Sequence, residues 1–300
     1  MREVGNKGTK LHYRVRGAGQ PVLLIHGLGS SGADWALQVL ALESEFRVIV
    51  PDLPGCGHSE RRGGACAIES FADILWTLVD ELMEPQVSIV GYSLGGAVAL
   101  EMALQRPHAV PRLALINTLA TYRIDDWRKW YEARIPAALV RLLGMRNMAR
   151  LLAERSFPEP WQRQIRDRAV AVIGAVPAAS YLAMAAALEH WSATERLDQL
   201  RSRILMIAAE HDFTPLAEKR TLATRIGADM VIVRGSRHGT PFDSVDLTNA
   251  SLLAHLRDQP LPARDTWARD ELANAPAWLL AAGIVNEHAA SEAELAAQAS

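Results

Sequence analysis

The chain has 300 residues, 49% hydrophobic and 22% charged, enough to bury a full core in one large α/β domain with an insertion or in two ordinary domains. A formal net charge of -2 excludes an overall basic field for nucleic acid or an anionic membrane surface. No apolar run approaches bilayer length, no secretory segment follows Met1, and Cys56 and Cys66 form neither a disulfide framework nor a metal-ligand spacing. The expectation is a cytoplasmic chain with free thiols, without metal, cofactor, nucleic-acid or membrane partner.

In chain order, residues 2–4 and 11–16 read as a hairpin turning across Gly5, Asn6 and Gly8, with Leu11, Tyr13 and Val15 on one face. The near-continuous apolar run 21–25 predicts a strand covered on both faces, as in a mostly parallel sheet, and it ends in His26-Gly-Leu-Gly29. A helix over 34–43 leads to a strand over 47–51 and the turn-rich Asp52-Leu-Pro-Gly-Cys-Gly-His-Ser59. Phe71, Ile74, Leu75, Leu78, Val79 and Leu82 recur at helical spacing within 68–83.

The next stretch carries chemistry. Val87-Ser-Ile-Val-Gly-Tyr-Ser-Leu-Gly-Gly96 is a strand, a sharp turn and a helix, with Ser93 between Gly91 and Gly95. A serine at such a corner needs small residues two before and two after, because the turn brings backbone close on both sides. Its hydroxyl is lifted above the sheet, and the Leu94 amide lies at a helix N-terminus, where unpaired N–H groups favour developing negative charge.

A strand over 112–117 ends at Asn117, an amide unable to supply a catalytic charge. From 121 to 201 the alternation stops, and helices broken near Pro136, Pro158, Pro160 and Pro177 suggest an inserted cap. The cap carries 13 basic against 9 acidic residues, read as a solvated outer face, with attraction of an anionic substrate by some of its arginines as the alternative. Trp127, Trp130, Trp161 and Trp191 are candidates for cap core or pocket lining.

Alternation resumes with a strand over 203–209, a helix over 216–225, a strand over 229–233 and a helix over 247–256. The expected division is a core of 1–120 and 202–258, a cap of 121–201 and an extension of 259–300. In that extension Trp267, Trp278, Leu279 and Leu280 suit docking on the core or on a second copy, leaving a homo-oligomer open.

Asp212 and His238 follow the last two strands, so with Ser93 they reach one rim of the sheet, in the chain order Ser, Asp, His. His211 is a rival base, disfavoured because adjacent loop residues seldom aim at the same group. His26, Asp52 and His58 read as loop and turn chemistry. With HGLG at His26, PDLPGCGHS at Pro51, GYSLGG at Gly91, EHDFTP at Glu210 and SRHGTP at Ser236, the sequence resembles the α/β-hydrolase fold superfamily, in particular its cap-bearing esterase and lactonase members.

The resemblance implies a mostly parallel central sheet flanked by helices, with Ser93 as nucleophile, His238 as base and Asp212 as its orienting acid. It also implies an oxyanion hole made by the amides of Leu28 and Leu94. The expected activity is hydrolysis of a small carboxylic ester or lactone. An acyltransferase or C–C hydrolase on the same triad is the alternative, and a ligand-binding receptor with incidental turnover is the alternative of another class.

Overall fold

A computed structural model describes residues 2–6, 9–60 and 66–262. Eight strands form one sheet: β1 (Arg2–Asn6), β2 (Thr9–Arg16), β3 (Gln20–Ile25), β4 (Phe46–Pro51), β5 (Ser88–Tyr92), β6 (Arg112–Ile116), β7 (Arg203–Ala209) and β8 (Asp229–Val233). Their order is β1-β2-β4-β3-β5-β6-β7-β8, antiparallel only where β2 meets β1 and β4. Asn6 pairs with Thr9, so Gly5 lies inside the ladder and the hairpin turns more tightly than the sequence suggests.

The helices are α1 (Ala36–Leu42), α2 (Ile68–Glu81), α3 (Leu94–Gln105), α4 (Trp127–Leu143), α5 (Met145–Ser156), α6 (Arg163–Ala175), α7 (Ala178–His190), α8 (Leu216–Arg225), α9 (Thr240–Asp243) and α10 (Val245–Leu256). Because side chains alternate across a strand, each parallel strand feeds two cores. Leu23 and Ile25 pack with residues of α2, α3 and α8 on one face. Val22 and Leu24 pack with Trp35 and with residues of α1 and α10 on the other. Among the described residues no single helix is long and apolar enough to cross a membrane.

Strand order places the functional loops. The chain leaves β3 outward to β4 and then returns to β5 on the other side of β3. The loops after β3 and β5 therefore diverge at a topological switch point, where a crevice opens at the carboxyl ends of the strands.

Between β6 and β7 the four helices α4 to α7 leave the sheet, and a bridge between Thr121 and Ser192 closes the base of this excursion. Val140, Met145, Met148, Val176 and Tyr181 give it a small core of its own. The expected break at Pro136 does not occur, since α4 runs through it. Proline removes one helical N–H there, but Ala137 and Val140 are buried on the next turn and hold the helix together. The breaks near Pro158, Pro160 and Pro177 fall between helices, as read from the sequence. Trp267, Trp278, Leu279 and Leu280 lie outside the described residues.

Candidate active site

Ser93 stands between β5 and α3 with φ 55° and ψ -120°, a conformation strained for a residue with a side chain. The neighbouring glycines have separate reasons. A Cβ on Gly91 would strike the Gly95 carbonyl, and one on Gly95 would strike the Ile25 and His26 carbonyls. The corner thus closes only with glycine at both places. Ser93 is 8% exposed, and its amide donates to the Ile116 carbonyl (2.9 Å).

His238 follows β8 and precedes α9, and Asp212 follows β7. His238 Nε2 lies 2.9 Å from Ser93 Oγ, and His238 Nδ1 lies 2.8 Å from Asp212 Oδ1. An ionised carboxylate only accepts, so Nδ1 carries the proton and Nε2 presents a lone pair to the serine hydroxyl. Burial alone would raise the Asp212 carboxyl, but His238 and then Lys219 outweigh it and hold it well below the usual range.

The loop after β3 runs beside the serine: a Cβ on Gly27 would sit 3.3 Å from that of Ser93. Leu28 lines the same cavity as Ser93, while Leu94 opens α3 and so has no intrahelical acceptor for its amide. His26 is buried within this loop. Leu53 N donates to its Nε2 (2.9 Å), which leaves Nδ1–H for the Gly27 carbonyl (2.9 Å). Burial lowers its pKa, in keeping with a neutral ring that holds backbone. Asp52 accepts from Gly32 N, His58 N and His12 Nδ1, tying the loop after β4 to the segment before α1 and to strand β2.

Some expectations shift. His211 lies outside the cluster, its side chain 55% exposed and 3.6 Å from Glu210. Of the four tryptophans none lines the cavity. Trp127 (81%) and Trp130 (52%) are exposed, Trp161 is half-buried, and buried Trp191 donates to Glu101 (2.8 Å). The aromatic groups at the site are instead Tyr92, whose hydroxyl donates to the His238 carbonyl (3.0 Å), and Phe213, whose ring centroid lies 4.4 Å from that of His238.

Lys219 gives no signal in the sequence, and Asn117, set aside there as an amide without charge, serves as a tether. Asn117 Nδ2 donates to the His238 carbonyl and to Thr240 Oγ1, both at 2.8 Å, and its Oδ1 accepts from Ala209 N (2.8 Å). Lys219 is fully buried and pairs with Asp212. Among the described residues no group of three or more His, Cys, Asp or Glu is arranged to hold a metal ion.

A cavity of about 270 Å³ opens over Ser93 and His238, roofed by α4 to α7 and lined mainly by apolar side chains such as Leu119, Ala137, Leu152, Val172 and Phe242. Its charged groups face one another. Arg128 pairs with Glu218 (2.6 Å), Arg155 with Glu132 (2.6 Å) and Arg168 with Asp34 (3.7 Å). Glu189 takes Arg134 (3.3 Å), and Lys129 takes Asp125 (2.8 Å).

A serine elbow at the switch point of a mostly parallel, helix-flanked sheet, with a histidine and an aspartate from the next loops, defines the α/β-hydrolase class. A family model described as alpha/beta hydrolase fold matches residues 20–167. The enol-lactonase of Burkholderia xenovorans LB400 is similar in structure, with a TM-score of 0.77 and 26% identity over 85% of this chain and all of that one. A pimeloyl-[acyl-carrier protein] methyl ester esterase of Vibrio vulnificus is 31% identical over 159 residues, 52% of this chain and 60% of its own length. An uncharacterized Mycobacterium bovis protein is 37% identical over 110 residues, so the match spans about a third (32%) of that relative. The chain belongs to the α/β-hydrolase superfamily.

Proposed function

We propose that the protein hydrolyses an uncharged carboxylic ester or lactone through an acyl-enzyme on Ser93. One observation carries this: the lone pair of His238 Nε2 lies 2.9 Å from Ser93 Oγ while Asp212 holds Nδ1–H on the opposite side. Ser93 Oγ attacks the carbonyl carbon as its proton passes to His238 Nε2. The carbonyl electron pair moves onto oxygen, and the amides of Leu28 and Leu94 receive that oxyanion.

Collapse reforms the carbonyl and breaks the C–O bond, and His238 returns the proton to the departing alkoxide oxygen. Water then gives a proton to His238 and attacks the acyl carbon, and collapse breaks the bond to Ser93 Oγ as His238 returns the proton to it, which frees Ser93 and the acid. Asp212 stays ionised throughout, steadying the imidazolium. The segment 121–201 acts as a cap that keeps bulk water from the acyl-enzyme.

The cavity supports an uncharged substrate. Its lining brings four basic and four acidic side chains, each paired within the protein, so a charged substrate group meets no open counter-ion. A volume of about 270 Å³ suits a short acyl group. The names of the Burkholderia enol-lactonase and the Vibrio methyl ester esterase fit the same bond classes. The test is a series of p-nitrophenyl esters graded by acyl length, with neutral lactones alongside. Turnover should peak at short acyl chains and vanish in Ser93→Ala; activity retained in Ser93→Ala would overturn the proposal.

A further inference from the structure

Lys219 has no place in the chemistry above, yet it is among the most deeply enclosed side chains, at 0% exposure. It lies on α8, between exposed or half-exposed Glu218 and Arg220, and sends its stem inward. Its ammonium pairs with Asp212 Oδ2 and approaches Asn117 Oδ1 at 3.4 Å. Thr214 Oγ1 donates to the same carboxylate oxygen (2.6 Å), so Oδ2 is held by two donors while Oδ1 faces His238. Through Asn117 Nδ2 the network also reaches the His238 carbonyl. An apolar side chain could fill this space without a buried charge, so the ammonium is explained by what it faces.

We propose that Lys219 is a positioning residue of the Ser93, His238 and Asp212 system: it fixes the Asp212 carboxylate and balances its charge, leaving the buried cluster neutral when His238 is ready to accept a proton. The proposal rests on the hydrolase reading given above.

The consequence is one of sign. With Asp212 negative, Lys219 positive and His238 neutral, the resting charge is zero, and a proton on His238 makes it +1. Without the ammonium the resting charge is -1, and a proton neutralises it. Removing Lys219 therefore raises the proton affinity of the Asp212 and His238 pair, whichever partner takes the proton.

Few other charges face this group. Tyr92 from β5 and Tyr122 after β6 are both held neutral by burial, their pKa values raised. Arg155 from α5 stands over the Phe213 ring, 5.6 Å from its centroid, already paired with Glu132. Asp243 of α9 bonds Ser236 and Ser244.

The experiment follows kcat/KM against pH on a neutral ester, together with the downfield Nδ1 proton of His238 by NMR, in wild type, Lys219→Met and Lys219→Gln. The acid limb and the imidazole titration should both move to higher pH by about one unit or more in the variants, so that activity falls mainly at low pH. An acid limb and imidazole titration left in place, with activity scaled equally at all pH values, would reduce Lys219 to a structural strut.

Should neither variant fold, the wild type still decides. An exchange-protected Lys219 ammonium resonance that shifts as His238 titrates supports the proposal. A neutral amine at pH 7, or no coupling to His238, overturns it. Absence of Ser93-dependent turnover in wild type would count against the hydrolase reading instead, while the NMR titration would still report on Lys219.

Discussion

Asp212→Asn separates two roles that meet in one side chain. Asp212 Oδ1 accepts the His238 Nδ1 proton, and Oδ2 accepts from Lys219 and Thr214. An asparagine must turn its NH₂ toward one side. Toward Lys219 and Thr214 it meets two donors, so it turns toward His238 and forces the proton onto Nε2, where the imidazole can no longer accept from Ser93. A wrong tautomer of this kind costs about 10⁴-fold in kcat in a serine triad, about 5 kcal/mol of transition-state stabilisation. The second effect is on folding. Lys219, at 0% exposure, is left without its counter-ion, which costs about 3–5 kcal/mol and lowers Tm by roughly 10 °C in a chain of this size. Adding Lys219→Met should restore much of the lost Tm without restoring activity. Ester hydrolysis at pH 8 and a thermal melt of both variants measure the two effects. Activity of Asp212→Asn within tenfold of wild type, or a melt unmoved in the single variant, would refute the reasoning.

Three further outcomes are expected. Gly95→Ala, whose Cβ would strike the Ile25 carbonyl, should lose about 3 kcal/mol or more in urea unfolding, whereas Gly144→Ala, in open space but at φ 76° and ψ 166°, a region open essentially to glycine alone, should lose about 2 kcal/mol. Burial raises the Asp243 carboxyl from 3.8 to about 6, so the folded chain keeps a proton the unfolded chain releases, and this group's contribution to stability falls as pH rises from about 4 to about 6. Urea titrations at pH 4 and 7 should show that component, up to about 3 kcal/mol, disappear in Asp243→Asn; His255, lowered to about 4 chiefly by burial, has the opposite sign and gains stability as pH rises from about 4 to 6.5. Glu132→Gln frees Arg155 at the cavity wall, so kcat/KM for p-nitrophenyl hemisuccinate should rise about twofold to fivefold relative to p-nitrophenyl butyrate. An unchanged ratio would remove the account of why the cavity favours uncharged substrates.

Much of the fold is legible in the sequence because it rests on local rules. Strands covered on both faces appear as apolar runs, and a serine elbow needs glycines at fixed offsets. The meeting of Ser93, Asp212 and His238 at one rim could be expected for the same reason, each lying in the loop that follows a strand of a parallel sheet. The place of Lys219 could not, because its α8 neighbours Glu218, Arg220 and Thr221 make an ordinary polar helix surface, and only the packing of α8 against β7 turns one lysine inward. Asn117 could be dismissed as a charge but not recognised as a tether, since its partners lie 92 to 123 residues away. Trp191 takes the core role its type suggests, but Trp127 and Trp130 do not: a large aromatic in a helical segment suggests a core, whereas α4 turns these two outward and gives the buried face to Ala137 and Val140.

The contact between Ser93 and His238 is tested most directly by labelling with an uncharged p-nitrophenyl alkylphosphonate and intact-mass analysis. One adduct per chain, mapped to the Ser93 peptide, absent in Ser93→Ala and slowed by about a thousandfold in His238→Ala, is the expected result. Labelling at another residue, or at an unchanged rate in His238→Ala, would contradict it.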